Sequence, residues 1–321
     1  MTLLQTDTSN FDKTVVELIQ RRIVEELRSG LVHLQDALPA KYVAGSNGTM
    51  RFIAYRDLSV VTGTPSAGTP PWLTEGVAPT EEALSITYDE MVAYQAGRLV
   101  GISDIALAES PHDLIAVAGD RVAFNARRTI DEYISDVVKA GTSNTIFAGT
   151  SNTQTSDVAA GDVLTAANIK RAVAILAGSN VPRFPDGYYH AIIHPEAVYQ
   201  LMIDDDAGGW MDANKYTDNR PLLAGELGRY AGVRFMESAY AGIQSGDNGG
   251  GTGSVDVYST IVYGQDAWAF GDLQTMRVYF NRGADKADPL NQKVSIGWKA
   301  MFGATLIDSN GARYVRIESA A

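Results

Sequence analysis

The stretch "DPLNQKVSIGWKAMFGATLI", residues 288–307, constrains the fold more than any other. From Val294 the even positions read Val294, Ile296, Trp298, Ala300, Phe302, Ala304 and Leu306, while Ser295, Gly297, Lys299 and Thr305 stand among the odd ones. Period-two alternation marks a strand with one buried face. At ~3.3 Å per residue the run predicts a strand on the order of 45 Å long, against a usual strand of about 5–6 residues. Such a strand needs an apolar surface of similar length to cover it.

The chain carries one such surface. "SPHDLIAVAGDRVAFNARRTIDEYISDVVKAG" predicts a helix over residues 111–140, with Ser110 as N-cap, Pro111 in the first turn, Asp113 at the positive dipole end, and Lys139 and Gly141 at the finish. Ile115, Ala118, Val122, Ala126, Ile130, Tyr133, Ile134, Val137 and Val138 share a face of this spine. At 1.5 Å per residue it is about 45 Å long. The even face of the long strand, with Trp298 and Phe302, is expected to pack on Ile130, Tyr133 and Val137, leaving Lys299 to point away.

Two further runs exceed the size of a compact body. "MRFIAYRDLSVV" reads as a strand, the Gly/Pro-rich residues 62–83 as an extended loop, and "LSITYDEMVAYQAGRLVGIS" as a second strand run of roughly 65 Å. A 100-residue domain measures only ~26 Å across by its radius of gyration, so part of this pair must leave the body as a two-stranded arm. Near the amino end, Val15, Ile19, Ile23 and Leu27 recur every fourth position and Gly30 follows, which predicts a helix over residues 12–28. Its narrow stripe suits docking onto another surface better than founding a core.

Residues 142–162 are rich in Thr, Ser, Asn, Gly and Ala and read as a linker. Beyond them element types alternate: a helix over 165–177, a strand "YYHAIIH", a helix "PEAVYQLMI", a short helix "GELGRYA", and strands "VRFMES" and "VDVYSTIVYG". This pattern predicts a compact mixed α/β unit. "DSNG" then turns the chain into a final strand, "ARYVRIES".

Composition removes several classes of function. With 45% hydrophobic residues the 321-residue chain can bury a substantial core. The balance of 26 Lys+Arg against 38 Asp+Glu, a net charge of −12, disfavours a surface that tracks phosphates. The absence of cysteine excludes disulfides, thiolate catalysis and Cys-ligated metals. "MTLLQTDTSNFDK" has no basic region followed by an apolar core, and no window approaches ~18 apolar residues, so neither export nor a membrane span is expected.

The candidate chemistry is sparse. His190 and His194 have helical i, i+4 spacing but fall on a predicted strand, where they would lie ~13 Å apart, too far for one metal. Asp204, Asp205 and Asp206 do not match a calcium-loop pattern. The glycines of residues 246–253 lack the Lys and Ser/Thr of a phosphate cradle, and no G-x-S-x-G elbow occurs. Glu75, Glu81 and Glu82 lie on an exposed loop without desolvation to shift their pKa values. Trp298 and Phe302 belong to an apolar face. No catalytic, cofactor-binding or metal residue is therefore assigned, and no cofactor is expected.

"GYYHAIIHPEAVYQLM", "GELGRYAGVRFMES" and "DPLNQKVSIGWKAMFGA", with "LTEGVAP" upstream, resemble the tailed-phage major capsid proteins of the family that includes the coliphage N-four coat protein, a branch of the Hong Kong 97 capsid fold. The resemblance implies an α+β fold with an N-arm (1–30), an E-loop hairpin (50–94), a peripheral domain (31–49, 95–161 and 283–321, with the spine at 111–140) and an axial domain (162–282). It implies a virion protein, assembled in the host cytoplasm, that forms hexamers and pentamers of an icosahedral shell around double-stranded DNA. It leaves open as partners a portal, decoration proteins and a separate scaffolding protein or none, with no sequence-specific DNA contact and no membrane. Two departures matter. No lysine lies between residues 50 and 94, so the prototype's E-loop isopeptide bond is not expected, and no long scaffold segment precedes the arm helix. A nanocompartment shell of the same fold and, from another class, a metal-assisted hydrolase using His190, His194 and Asp204 to Asp206 are the alternatives.

Overall fold

The computed structural model describes residues 31–42, 47–55, 76, 81, 83–141, 144–149, 151–203, 226–244, 255–283, 288–290, 292–307 and 313–320. The helix expected over 12–28, most of the arm tip, Asp204 to Asp206, Glu75, Glu82, the glycine run and the "DSNG" turn lie outside these residues.

The alternating run forms β12 (Lys293–Leu306), the third strand of a four-stranded sheet in the order β1 (Leu38–Lys41), β11 (Trp268–Asn281), β12, β4 (Tyr94–Ser103). Both β11 and β4 run antiparallel to β12, whereas β1 lies parallel to β11. The even face of β12 packs on the spine α3 (Leu114–Ala140), as the alternation predicts. Ile296, Trp298, Ala300 and Phe302 enter one core with Val122, Ala126, Ile130, Ile134 and Val138. Phe302 meets the ring of Tyr133 edge-on at 5.4 Å between centroids, and the Trp298 indole N–H donates to Asn125 Oδ1 at 3.1 Å.

The spine begins three residues later than its sequence suggests. Asp113 is the N-cap, its carboxylate accepting from the Ile115 and Ala116 amides at 3.1 and 3.2 Å. Ser110 instead closes α2 (Asp104–Glu109), and its hydroxyl oxygen accepts from the His112 amide in the intervening turn. Gly141 ends the spine without a left-handed cap, its φ being −69°. A Cβ there would run into the Tyr314 ring.

A second sheet follows the order β5 (Thr145–Phe147), β13 (Tyr314–Ser319), β10 (Val257–Tyr263), β6 (Tyr189–Ile193), β8 (Val233–Glu237), β7 (Glu226–Tyr230), with β9 (Ile243–Gln244) also paired to β10. All five residues of β6 are buried, which explains why it reads as a continuous apolar run. α4 (Ala166–Gly178) and α5 (Pro195–Ile203) contribute Ile169, Ala172, Leu176, Ala197 and Leu201 to the core beside it. The segment "GELGRYA", expected as a helix, is β7. Ala231 and Gly232 have φ of 50° and 83°, so the chain makes a two-residue left-handed turn and returns as β8.

β11 has no counterpart in the sequence reading, because irregularities between Asp272 and Gln274 and between Gln274 and Arg277 interrupt its alternation. It pairs with β12 in the first sheet, although residues 162–282 were expected to form one unit. β5 and β13 join the second sheet, although both were expected with the spine. Strand pairing thus draws the boundaries differently.

β2 (Thr49–Tyr55) and β3 (Ile86–Val92) form a separate two-stranded antiparallel ribbon. Its base sits where β11 and β12 carry paired glycines, Gly271 and Gly303. A Cβ at Gly303 would come within 2.5 Å of the Val92 carbonyl oxygen, and one at Gly271 within 2.8 Å of that of Ala40. Glycine at both positions lets the ribbon and β1 close on the sheet. Among the described residues no helix is long and apolar enough to cross a membrane.

Candidate assembly interface

The outward face of the β2–β3 ribbon is apolar and bare. Ile53 opposes Tyr88 and Tyr55 opposes Ile86 across the strands, and these four side chains are 55–62% exposed. Leu84 extends the patch. Arg51 lies over the Tyr88 ring at 4.8 Å and donates to Glu90 at 3.0 Å, forming a charged border that is itself half-exposed. The opposite face carries Met50, Phe52 and the fully buried Met91 and packs with Ala40 and Ala269. Cross-strand aromatic and β-branched pairs hold a ribbon together, yet here they cover nothing of the body. A contiguous exposed apolar patch of this kind marks a surface for another molecule.

A second patch lies on the four-stranded sheet, away from the spine. Leu99 and Tyr279 pair from either side with Gly297, and both are exposed. Arg277 stands directly opposite Lys299 on the neighbouring strand. Like charges in this position repel, so an anionic group from outside would be favoured there.

The segment between the amino-terminal region and the ribbon is pinned to both sheets by buried polar groups. In the single turn α1 (Val32–Gln35), the His33 amide donates to Asp131 Oδ1 at 3.1 Å and its ring meets Oδ2 at 3.0 Å. The Trp268 indole N–H donates to the His33 carbonyl at 3.0 Å. Three residues on, Asp36 accepts from Tyr263 at 2.8 Å and holds His190 Nδ1 at 2.6 Å. His190 Nε2 lies 3.1 Å from Asp186, which also accepts from Arg234 at 3.1 Å, and Phe184 stacks on the imidazole at 3.9 Å.

Burial alone would lower the His190 pKa, but hydrogen bonds and charge from Asp36, then Asp186, outweigh it and raise it. Burial likewise opposes ionisation of Asp186, yet the Tyr188 amide, His190 and Arg234 together hold its pKa down. The group is a charge-paired clamp, with both imidazole nitrogens facing carboxylates.

The sequence candidates fall apart spatially. His190 is in this clamp, whereas His194 accepts from the Glu196 amide at 3.2 Å, tilts against the Tyr258 ring, and has its pKa lowered by burial. Glu81 is exposed. Trp298 and Phe302 are core. Among the described residues no group of three or more His, Asp or Glu side chains is arranged to hold a metal ion. Sequence reasoning missed Asp36, Asp186 and His33. The available signal was an imidazole inside the apolar strand "YYHAIIH", which requires a buried polar partner.

A family model described as phage capsid protein matches residues 114–307, from the first residue of the spine to just beyond β12. Among solved structures, the chain is similar to the capsid of cyanophage Pam1 at 16% identity, covering 89% of each chain with a TM-score of 0.66. The Ralstonia phage GP4 capsid follows at 15% identity, 90% of each chain and 0.65, and the head of Helicobacter pylori bacteriophage KHP40 at 12%, 88% of each and 0.58. No curated protein sequence matches. With the spine, long strands and bare ribbon in place, the chain belongs to the phage capsid protein family, as a major capsid protein of the Hong Kong 97 fold and a subunit of the icosahedral head.

Proposed function

We infer that the subunit closes into hexamers and pentamers of a shell around double-stranded DNA, as a structural protein without catalysis, assembled in the host cytoplasm with portal, separate scaffolding and decoration proteins. The observation that carries this reading is the bare apolar face of the ribbon at Ile53, Tyr55, Ile86 and Tyr88, an exposed surface that a neighbouring subunit would bury. Residues 1–30 act as the N-arm and the β2–β3 segment, residues 50–94, as the E-loop. The spine and the four-stranded sheet form the peripheral domain, and the seven-stranded sheet the axial domain. β11 moves to the peripheral and β5 and β13 to the axial side of the expected boundaries, in keeping with their pairing.

Electron microscopy of particles from the full chain tests the reading. Closed shells filled with DNA and bearing a tail vertex support it. Shells loaded with enzyme instead of a genome would establish the nanocompartment alternative, and failure to form any shell would sink both. Because residues 50–94 contain no lysine, particles boiled in detergent are expected to run as a single subunit band. A ladder of covalent multimers would contradict this.

A further inference from the structure

Sheets protect the strands at their edges, because the unpaired N–H and C=O groups there invite pairing with another chain. Most edges among the described residues follow this rule. β1 is four residues long and carries Pro39 and Lys41, β5 has three residues, and β7 has five with a register irregularity between Glu226 and Gly228. In the ribbon, β2 carries Arg51 and β3 carries Asp89 and Glu90. β4 breaks the rule. It closes the four-stranded sheet on the side away from β1, runs for ten residues, and contains no proline, lysine or carboxylate, Arg98 being its one charge. It pairs with β12 on one side, and among the described residues no strand lies on the other. Leu99 is 67% and Tyr94 61% exposed, and Gly97, Arg98, Gly101 and Ser103 are exposed beside them, so the free edge reaches solvent along its length. A Cβ added at Gly101 would meet open space.

We propose that β4 pairs antiparallel with β4 of a second copy of this chain across a two-fold axis at Leu99, joining the two four-stranded sheets into one continuous sheet. The proposal rests on the reading of the chain as a shell subunit, which meets copies of itself at every edge. The strand is self-complementary about that point, as a two-fold contact requires. Leu99 faces its own counterpart, Arg98 falls opposite Val100, Gly97 opposite Gly101, and Gln95 opposite Ser103. A dyad at Arg98 would set like charges face to face, whereas the dyad at Leu99 holds the two guanidinium groups a diagonal step of about 7–8 Å apart. The outward face gains most. Tyr279, Gly297 and Leu99 lie in one row across the sheet, and the pairing continues that row into the second copy, so that each exposed Leu99 is covered by the other. Main-chain bonds along the edge supply the attachment, and the Leu99 pair fixes the register.

The chain has no cysteine, so introduced thiols report only on themselves. Facing residues of antiparallel strands have Cα atoms about 4.5–5.5 Å apart, within the span of a disulfide. Full-length chains carrying Leu99→Cys, chains carrying Gln95→Cys, and an equal mixture of Gln95→Cys and Ser103→Cys chains are mildly oxidised and run without reductant. Each is treated both as assembled particles and as concentrated soluble subunit. Leu99→Cys is expected to run mostly as a dimer that reductant dissolves, and the mixture to give a bond between positions 95 and 103 that mass spectrometry places. Gln95→Cys alone should give at least about tenfold less dimer, since its two thiols would lie ~26 Å apart. Absence of the Leu99→Cys dimer in both preparations overturns the proposal. Equal dimer from Gln95→Cys alone, or a Leu99→Cys dimer without the 95–103 bond, overturns it as well, because the pairing would then be collisional, parallel or shifted. Leu99 is largely exposed, so its replacement leaves the core of the fold intact. Microscopy of the parent separates the two readings: closed shells without a Leu99→Cys dimer sink the strand pairing alone, and a parent that forms no shells sinks the shell reading whatever the thiols show.

Discussion

β12 and β3 carry the same alternation of apolar and polar residues and meet opposite fates. In β12 the apolar side, with Ile296, Trp298 and Phe302, is sealed against the spine. In β3 the polar side, Thr87 and Asp89, turns partly inward, while Ile86 and Tyr88 are left more than half exposed. An alternating strand therefore announces that one face is to be covered, without saying by what. The covering is intramolecular for β12, whereas for β3 the described residues supply none, and the proposed assembly would supply it from a neighbouring subunit. Substitutions on the two faces should accordingly separate folding from assembly.

The largest effect is expected at the sealed face. Trp298→Ala removes a side chain only 3% exposed and strands Asn125, so it should cost about 3–5 kcal/mol, read as a lower urea midpoint and less soluble subunit. A midpoint within experimental error of the parent would mean that this face is not the core.

His190 should come next. Its replacement by Ala leaves the carboxylates of Asp36 and Asp186 without the imidazole between them. The cost should be about 2–3 kcal/mol, less than the ~3–5 of a fully buried pair, because Asp186 keeps Arg234 and 25% of its side chain reaches water. Since the folded His190 pKa is raised above the unfolded value of ~6.5, its contribution is complete below that pH and lost as pH rises through the folded pKa. Asp186, with its pKa lowered, contributes above ~3.9 and loses that contribution as pH falls through its folded pKa. Urea midpoints of the parent should therefore decline on the alkaline side, and those of His190→Ala should not decline there through this group. Equal alkaline slopes would remove His190 as the cause.

At the bare face the pattern should invert. Deleting residues 64–71, or replacing Tyr88 by Ser, should change subunit stability by under about 1 kcal/mol while abolishing closed shells under the electron microscope. Unfolding of the isolated subunit by the deletion would show that the ribbon is covered from within.

The smallest effect on stability is expected for Lys299→Ala, under about 0.5 kcal/mol, because losing the repulsion with Arg277 on the facing strand offsets the loss of the side chain's packing. Its effect should appear in the salt dependence of assembly, measured by light scattering. Loss of monomer solubility equal to that of Trp298→Ala would mean the two faces of β12 are interchanged.

Elements with an unbroken local period were legible in the sequence. β12, the body of α3 and α5 follow their residue patterns closely, because a buried face repeated every two or about 3.6 residues leaves a direct trace. β11 left none, since its register shifts interrupt the alternation that would have announced it. β7 was misread because five residues are too few to separate the two periods, and the turn at Ala231 and Gly232 decided the matter. The clamp was legible only in part: an imidazole in an apolar strand signals a partner, but Asp36 is 154 residues away in the chain.

By itself, then, the sequence determined which segments are long, which faces are apolar, that cysteine chemistry is excluded, and, through its motifs, the family. Tertiary structure alone decided which strand lies beside which, so that β11 joins β12 while β13 crosses to the other sheet. It also decided that Asp36, His190 and Asp186 share their charges, and that the apolar side of the ribbon is left uncovered. The physical reason is that periodicity records a residue's demand for burial, a local property, whereas the partner that satisfies the demand is fixed by long-range pairing and, in a shell subunit, by contacts beyond the chain.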